Sequence, residues 1–392
     1  MRIAYLTHYA ELYGANRSLL DLMLELRSRG EVEPFVLLPR EGPITERLQA
    51  EKIPFQVIPW EPWMSDRRYM GRIHHRIMQH LGYERAARKR AMHNRSLLPA
   101  VHRTIEEQRI GVVHVNSAAV GITALLLEQC TAPLVWHIRE LPEHQYMLTI
   151  DAGRRRYGQA LRKAARLIAI SKAVQEDIRR YAGSGVHADL IYNGVLRSAD
   201  QQRLASKAMG RWTATGPFTF VLAGLIHASK GQEEAIRAFA LLRQHVQHVR
   251  LVLAGDGKAD RLHALIQQLG VGDGVVLTGF VKDLEPLLLS SHALLMCSRN
   301  EAMGRVTVEG MSSGLPVIGH ASGGTLELIT EGVTGLFYPG GAEALAERML
   351  ALVNDRSRAR TLGEAAMRDA AERFNVERYA TEVLEVYRSL QH

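Results

Sequence analysis

Only two cysteines, Cys130 and Cys297, occur in 392 residues, far apart and outside any Cys-x-x-Cys spacing. That excludes a disulfide framework and a cysteine-ligated zinc site, and it fits a reducing cytoplasm. No apolar run is long enough to span a bilayer. The opening run Ile3 to Leu6 is too brief for a signal-peptide core and reads as a first strand. Asp-x-Asp, His-Glu-x-x-His and Gly-x4-Gly-Lys-Ser/Thr are all missing, so neither a metal-held diphosphate nor a P-loop is indicated. The expectation is a chain with no metal and no cofactor, in which lysine, arginine and helix ends manage anionic charge.

What is present is the composition of an ordinary globular protein, 46% hydrophobic and 23% charged. The length exceeds what one core usually supports, which favours two domains and a cleft. Short β-rich runs alternate with helical patterns almost throughout, the signature of parallel α/β units. A first set has strand candidates at 2–7, 34–38, 55–59, 112–116, 134–138, 167–170 and 190–192. A polar stretch, 197–216, reads as a linker before a second set at 218–222, 251–254, 275–278, 293–296 and 316–319. Tyr379, Val383, Val386, Tyr387 and Leu390 recur at helical spacing near the end, so the last segment should bury one face.

In doubly wound sheets, ligands bind beyond the carboxyl ends of the strands, and the chemistry-bearing motifs fall in those loops. The richest runs from Cys297 to Pro316: strand end, loop with Glu301, a helix start at Gly304, Arg305 and Val306, and Glu309 inside the helix. Such a start presents unpaired N–H groups and partial positive charge to a diphosphate, and Gly304 permits close approach. The two carboxylates suit sugar and ribose hydroxyls, although alone they also read as a helix-terminus acid and a solvated helix residue. A second glycine loop, Gly323-Gly324 leading to Glu327, follows the next strand. Lys230 lies after the first strand of the second half, where an ammonium can neutralise a departing diphosphate; an exposed loop lysine is the competing reading. In the first half, Gly14-Ala15-Asn16 follows the first strand and is either a ligand-approach loop or a tight turn. His137 closes a strand candidate beside Arg139 and Glu140, and is either a cleft residue or an interior histidine.

Together these residues resemble the family 4 retaining glycosyltransferases of the GT-B fold, over most of the chain. The resemblance rests on the Glu301 to Glu309 pair, Gly314-Leu315-Pro316-Val317-Ile318, the Gly323-Gly324 to Glu327 run, Glu331-Gly332 to Gly335, Asn193-Gly194-Val195 and Thr278-Gly279-Phe280-Val281. It implies two Rossmann-like α/β domains facing each other across a cleft: 1–200, which the terminal helix 373–392 joins, and 201–372, which binds the donor. It further implies that a nucleoside-diphosphate sugar is the donor, and that Glu309 holds its ribose and Glu301 the hydroxyls of the transferred sugar. Lys230 and the backbone of Gly304, Arg305 and Val306 would hold the diphosphate, and Phe280 and Val281 would flank the base. Gly14, Ala15 and Asn16 would face the phosphates from the first domain, with His137 near the sugar and acceptor. Leu225 departs from the pattern, because many members carry arginine there; Arg305 is the candidate replacement. Met303 for the more common Phe and Gly310 for the more common Ala are further departures.

The expected activity is therefore metal-independent sugar transfer, with retention, to a hydroxyl of a saccharide, lipid-linked or small-molecule acceptor. The rivals are a nucleotide-sugar epimerase on the same scaffold and a non-catalytic glycan- or lipid-binding subunit. The formal charge of +8 is concentrated in residues 67–95, which hold nine Lys/Arg against Glu84. With Met70, Ile73, Ile77 and Leu81 at helical spacing, this segment reads either as a cationic amphipathic helix at the inner face of an anionic membrane or as a solvated basic face. No nucleic-acid motif accompanies the charge, so no nucleic-acid partner is expected.

Overall fold

The computed structural model describes residues 1–70, 72–213 and 215–391. Gly71 of the basic stretch, Ala214 of the expected linker and His392 of the terminal segment lie outside the described residues. The chain forms two compact units, Met1–Gly194 with Glu377–His392, and Val195–Val376. The divisions expected from sequence, 200/201 and 372/373, lie a few residues along the chain from those of the two units. Backbone bonding explains them: Val195 N donates to Phe374 O at 2.9 Å and Val376 N to Leu196 O at 3.0 Å, drawing the connecting residues into the second unit.

The first unit contains β1 (Arg2–Leu6), β2 (Glu33–Leu38), β3 (Phe55–Val57), β4 (Met64–Asp66), β5 (Val112–Val115), β6 (Leu134–Ile138), β7 (Leu148–Ile150), β8 (Arg166–Ala169) and β9 (Asp189–Leu190). Seven of them form one sheet in the order β3-β2-β1-β5-β6-β8-β9, parallel throughout. Strands buried on both faces need unbroken apolar runs, and Ile3, Ala4, Tyr5 and Leu6 are each fully buried. The β4 and β7 strands pair antiparallel, an element absent from the sequence expectation. At three residues each they are too short to carry a readable alternation. The terminal helix Val376–Arg388 packs Tyr379, Val383 and Tyr387 into this unit's core beside Tyr5, Leu19 and Leu22, which supplies the partner surface its periodicity demands.

The second unit contains β10 (Phe218–Ala223), β11 (Val249–Ala254), β12 (Val275–Gly279), β13 (Ala293–Met296), β14 (Val317–His320) and β15 (Gly335–Tyr338), in the parallel order β12-β11-β10-β13-β14-β15. Phe218, Phe220, Ile236, Phe239, Leu251 and Tyr338 build its core. Each large apolar side chain removed from water there contributes about 1.5–3 kcal/mol. The expected linker 197–216 is largely helical instead: Ser198–Ala208 is an α-helix that buries Gln201, Leu204 and Ala208, followed by a 3-10 turn at Met209–Trp212. Two apolar residues four apart make a stripe too narrow to stand out from the polar composition.

Strand order reverses between β1 and β5 in the first unit and between β10 and β13 in the second. In open α/β sheets, ligands bind at such switch points, where neighbouring loops diverge and leave a crevice.

Candidate functional site

The loops leaving β10 and β13 flank the second unit's switch point, and they carry Lys230 and Glu301. After β10 the chain makes a 3-10 turn at Ala228–Lys230, and Gly231 caps the helix Gln232–Arg243. Lys230 Nζ donates to Glu301 Oε2 at 2.7 Å. Residues 71 apart in sequence, assigned separately to the diphosphate and to the sugar, thus form one ion pair at the sheet's carboxyl edge. The Lys230 side chain is 21% exposed and that of Glu301 11%, so the pair is partly screened by solvent.

Two features shape the Glu301 loop. Asn300 adopts φ of 53°, and its N–H donates to Ser322 Oγ at 2.9 Å. Gly324 N donates to Glu301 O at 2.7 Å. The glycine loop after β14 comes so close that a Cβ at Gly323 would stand 2.6 Å from Glu301 O, which requires glycine there. Gly304, at φ of 83°, caps the helix Arg305–Ser312. Thr307 N donates to Gly304 O at 3.0 Å; the amides ahead of it lie before the first carbonyl a helix can offer them, and the dipole adds positive character. Gly304, Arg305 and Val306 accordingly offer an anion cradle beside the Lys230–Glu301 pair. Within the helix, Arg305 Nε donates to Glu309 Oε1 at 3.1 Å and Arg305 Nη2 to Val195 O at 2.9 Å. Arg305, the candidate replacement for the basic residue absent at Leu225, is therefore already engaged with Glu309 and the backbone. Leu225 is exposed and has no charge to offer.

Phe280 and Val281 leave the carboxyl end of β12, the edge strand two places from β10; Phe280 is exposed and Val281 half-buried. An exposed ring at this edge can stack on a planar base. Cys297, directly under Gly231, is no nucleophile: burial pushes its thiol up to about 12. Thr307, absent from the sequence candidates, is fully buried beside Gly304, and its Oγ1 has no hydrogen-bond partner among the described residues. Its position inside the motif is the only signal that could have pointed to it.

Gly14, Ala15, Asn16 and His137 belong to the other unit. Gly14 begins the helix Gly14–Ser28 after β1, at that unit's switch point, and is exposed, with Ala15 half-buried. Asn16 turns inward: its Nδ2 donates to Tyr9 O and Glu11 O, both at 2.9 Å. That amide nitrogen therefore shapes the loop, while Asn16 Oδ1 is buried with no hydrogen-bond partner among the described residues. His137 is fully buried within β6, against Arg139, His114 and Tyr379. Burial and the Arg139 charge hold its imidazole well below the usual histidine range, so it is neutral. The structure makes His137 an interior residue of the first unit, not a strand-end group reaching outward.

Arg139 and Glu140, one and two residues past β6, are charged groups that the sequence marks only as neighbours of His137. The Arg139 guanidinium, 5% exposed, donates to Asn116 Oδ1 at 2.6 Å, to Asn193 Oδ1 and to Tyr379 Oη at 2.7 Å. It thereby ties the end of β5, the end of β9 and the terminal helix together. Glu140 accepts from Ala118 N at 3.0 Å, and burial raises its carboxyl pKa. Both are legible only as a His-Ile-Arg-Glu string until the fold brings their partners in.

Residues 209–369 match the family described as Glycosyl transferases group 1, and residues 13–194 match the Glycosyl transferase 4-like domain. The chain is 31% identical over 170 residues to N-acetyl-alpha-D-glucosaminyl L-malate synthase of Bacillus anthracis, covering 42% of this chain and 44% of that one. It is 32% identical over 251 residues to D-inositol 3-phosphate glycosyltransferase of Kribbella flavida, covering 59% and 58%. The matched region thus spans about half the length of these relatives. Among solved structures it is similar to Anabaena Alr3699/HepE in complex with UDP, with a TM-score of 0.79 and 25% identity over 99% of this chain and 100% of that one. Two parallel α/β units and two family matches that between them run along nearly the whole chain agree: the second unit matches the group 1 glycosyltransferases and the first the glycosyl transferase 4-like domain, on the GT-B fold.

Proposed function

We propose that this chain transfers a sugar from a nucleoside-diphosphate sugar to a hydroxyl acceptor, with retention of anomeric configuration and without a metal. The observation that carries the reading is the Lys230–Glu301 pair at 2.7 Å beside the amide cradle of Gly304, Arg305 and Val306. A cation, a helix N-terminus and a carboxylate stand together at a switch point, as a diphosphate ester bearing a polyhydroxylated group requires.

On this reading the diphosphate sits on the cradle and takes Lys230 Nζ as a donor, and Glu301, released from the lysine, accepts from hydroxyls of the sugar. Glu309 accepts from the ribose, and Phe280 and Val281 flank the base. In the transfer, the bond from the anomeric carbon to the diphosphate oxygen breaks and a bond from that carbon to the acceptor oxygen forms on the same face. The acceptor proton passes to a phosphate oxygen, and Lys230 with the helix amides stabilises the departing charge. HepE was solved with UDP, which makes a uridine donor the first to test here.

Calorimetric binding of UDP-, GDP-, ADP- and dTDP-sugars, followed by product analysis with saccharide, lipid-linked and small-molecule acceptors, tests the proposal. A sugar isomer released without acceptor would identify an epimerase. Binding of none of the nucleotides would leave a non-catalytic subunit.

A further inference from the structure

Residues 73–107 of the first unit form one long helix, Ile73–Glu107. Its second half is anchored: Ala87, Asn94, Leu98, Val101 and Ile105 are buried along one side. The first three turns are not, and Ile73, Ile77, Met78 and Leu81 are 77%, 56%, 67% and 56% exposed. Four large apolar side chains held in water over so short a length mark an interaction surface, not scattered exposure. Followed along the helix at i+4 and i+7 spacing, the Ile73-Ile77-Leu81 stripe runs into Arg85, Arg88, Met92 and Arg95 on the same face. Arg72, Arg76, Arg85, Arg88, Lys89 and Arg95 all lack an acidic partner within 4 Å among the described residues, whereas the neighbouring Arg67, Arg68 and Arg90 are paired with Glu84, Asp66 and Asp151. Beside this helix lies a cavity of about 440 Å³ whose lining mixes Arg88, Arg95 and Arg156 with the acids Glu84 and Asp151 and with Trp63.

We infer that this helix is a membrane-docking surface, which inserts its apolar first turns into the interface of an anionic lipid bilayer and lays its unpaired cations against the headgroup phosphates. Charge complementarity names the occupant. A protein partner for this many cations would have to be strongly acidic, and a nucleic acid has no use for the apolar stripe, whereas an anionic bilayer offers both chemistries side by side. No helix among the described residues is long and apolar enough to cross a membrane, so the contact is one of surface insertion. The inference rests on the first unit alone and stands whether or not the donor proposal does.

The test is co-sedimentation of the full chain with phosphatidylcholine vesicles and with vesicles that also contain phosphatidylglycerol, at low and high salt. Binding to the anionic vesicles only, weakened by salt, is expected. Neutralising Arg85, Arg88 and Lys89 to glutamine should lower partitioning about a hundredfold, at about fivefold per cation. Replacing Ile73, Ile77 and Leu81 by serine should lower it at least as much. All six side chains are exposed, so circular dichroism and the thermal midpoint should stay at wild-type values. A single Ile77→Cys labelled with an environment-sensitive dye gives a readout without multiple substitution, and its emission should shift blue on anionic vesicles alone. Absence of binding at low salt, unchanged binding in both triple variants, or a dye that responds equally to neutral vesicles would overturn the inference. So would a concentration-dependent dimer abolished by the serine variant, or tighter binding of an oligonucleotide than of the vesicles.

Discussion

Lys230→Ala separates a leaving-group cation from a lysine that only holds Glu301 in place. In the structure the ammonium is 2.7 Å from the carboxylate, with a fifth of the lysine side chain exposed. Breaking a fully buried pair costs about 3–5 kcal/mol, but solvent reaches this one, so the loss of stability should be about 1–2 kcal/mol. A unit of this size should then melt roughly 2–8 °C lower and remain folded at assay temperature. Catalysis should suffer much more. A preorganised donor aimed at charge that develops in the transition state contributes about 2.7–4 kcal/mol, so turnover at saturating donor should fall about a hundred- to a thousandfold. The assay is release of nucleoside diphosphate with acceptor present, alongside calorimetric donor affinity and a melting curve. Lys230→Arg, which keeps the charge in a different shape, should recover part of the rate. A Lys230→Ala enzyme within tenfold of wild-type turnover would refute the reasoning and leave the lysine as a prop for Glu301.

Gly304→Ala places a side chain where φ is 83°, with its Cβ 3.0 Å from Thr307 Oγ1 and 3.3 Å from Glu301 Cγ. Strain of about 1–2 kcal/mol and a distorted amide cradle should weaken donor binding at least tenfold in calorimetry, and unchanged affinity would place the diphosphate elsewhere. Chelation with EDTA should leave turnover within about twofold, and loss of activity restored by a divalent cation would assign charge neutralisation to a metal instead of to Lys230 and the helix amides. His114 and His137, both held well below the ordinary histidine pKa chiefly by burial, stay neutral in the fold and take up protons only on unfolding. Since the unfolded chain binds more protons below about pH 6.5, their contribution is full above that pH and is lost as pH falls, at up to about 1.4 kcal/mol per pH unit for each. Urea midpoints between pH 7 and pH 5 should drop accordingly, and His137→Gln should flatten the slope; an unaltered slope would mean that His137 is not buried neutral.

The two α/β sets, most of the strands and the Glu301–Gly304–Glu309 string were legible in the sequence because each rests on short-range spacing. Alternating apolar runs and helix starts obey periods of two to four residues, so they can be read without knowing what they pack against. The β4–β7 pair and the helix hidden in 198–208 escaped because their apolar signal is only two or three residues deep. The family resemblance was legible for a related reason, since its motifs are contiguous loops.

Pairings across the chain were not legible. Nothing near Lys230 in sequence says that Glu301 is its partner, and nothing near Arg305 says that Val195 O receives its guanidinium. His137 illustrates the limit from the other side: a strand-end position permits an outward or an inward imidazole. Packing against Arg139 just past β6, His114 of β5 and Tyr379 of the terminal helix decided for the interior. By itself the sequence determined which residues could carry charge and where each loop begins. The tertiary structure alone decided which charges meet, because an ion pair is set by the distance between atoms, and folding makes that distance independent of separation along the chain.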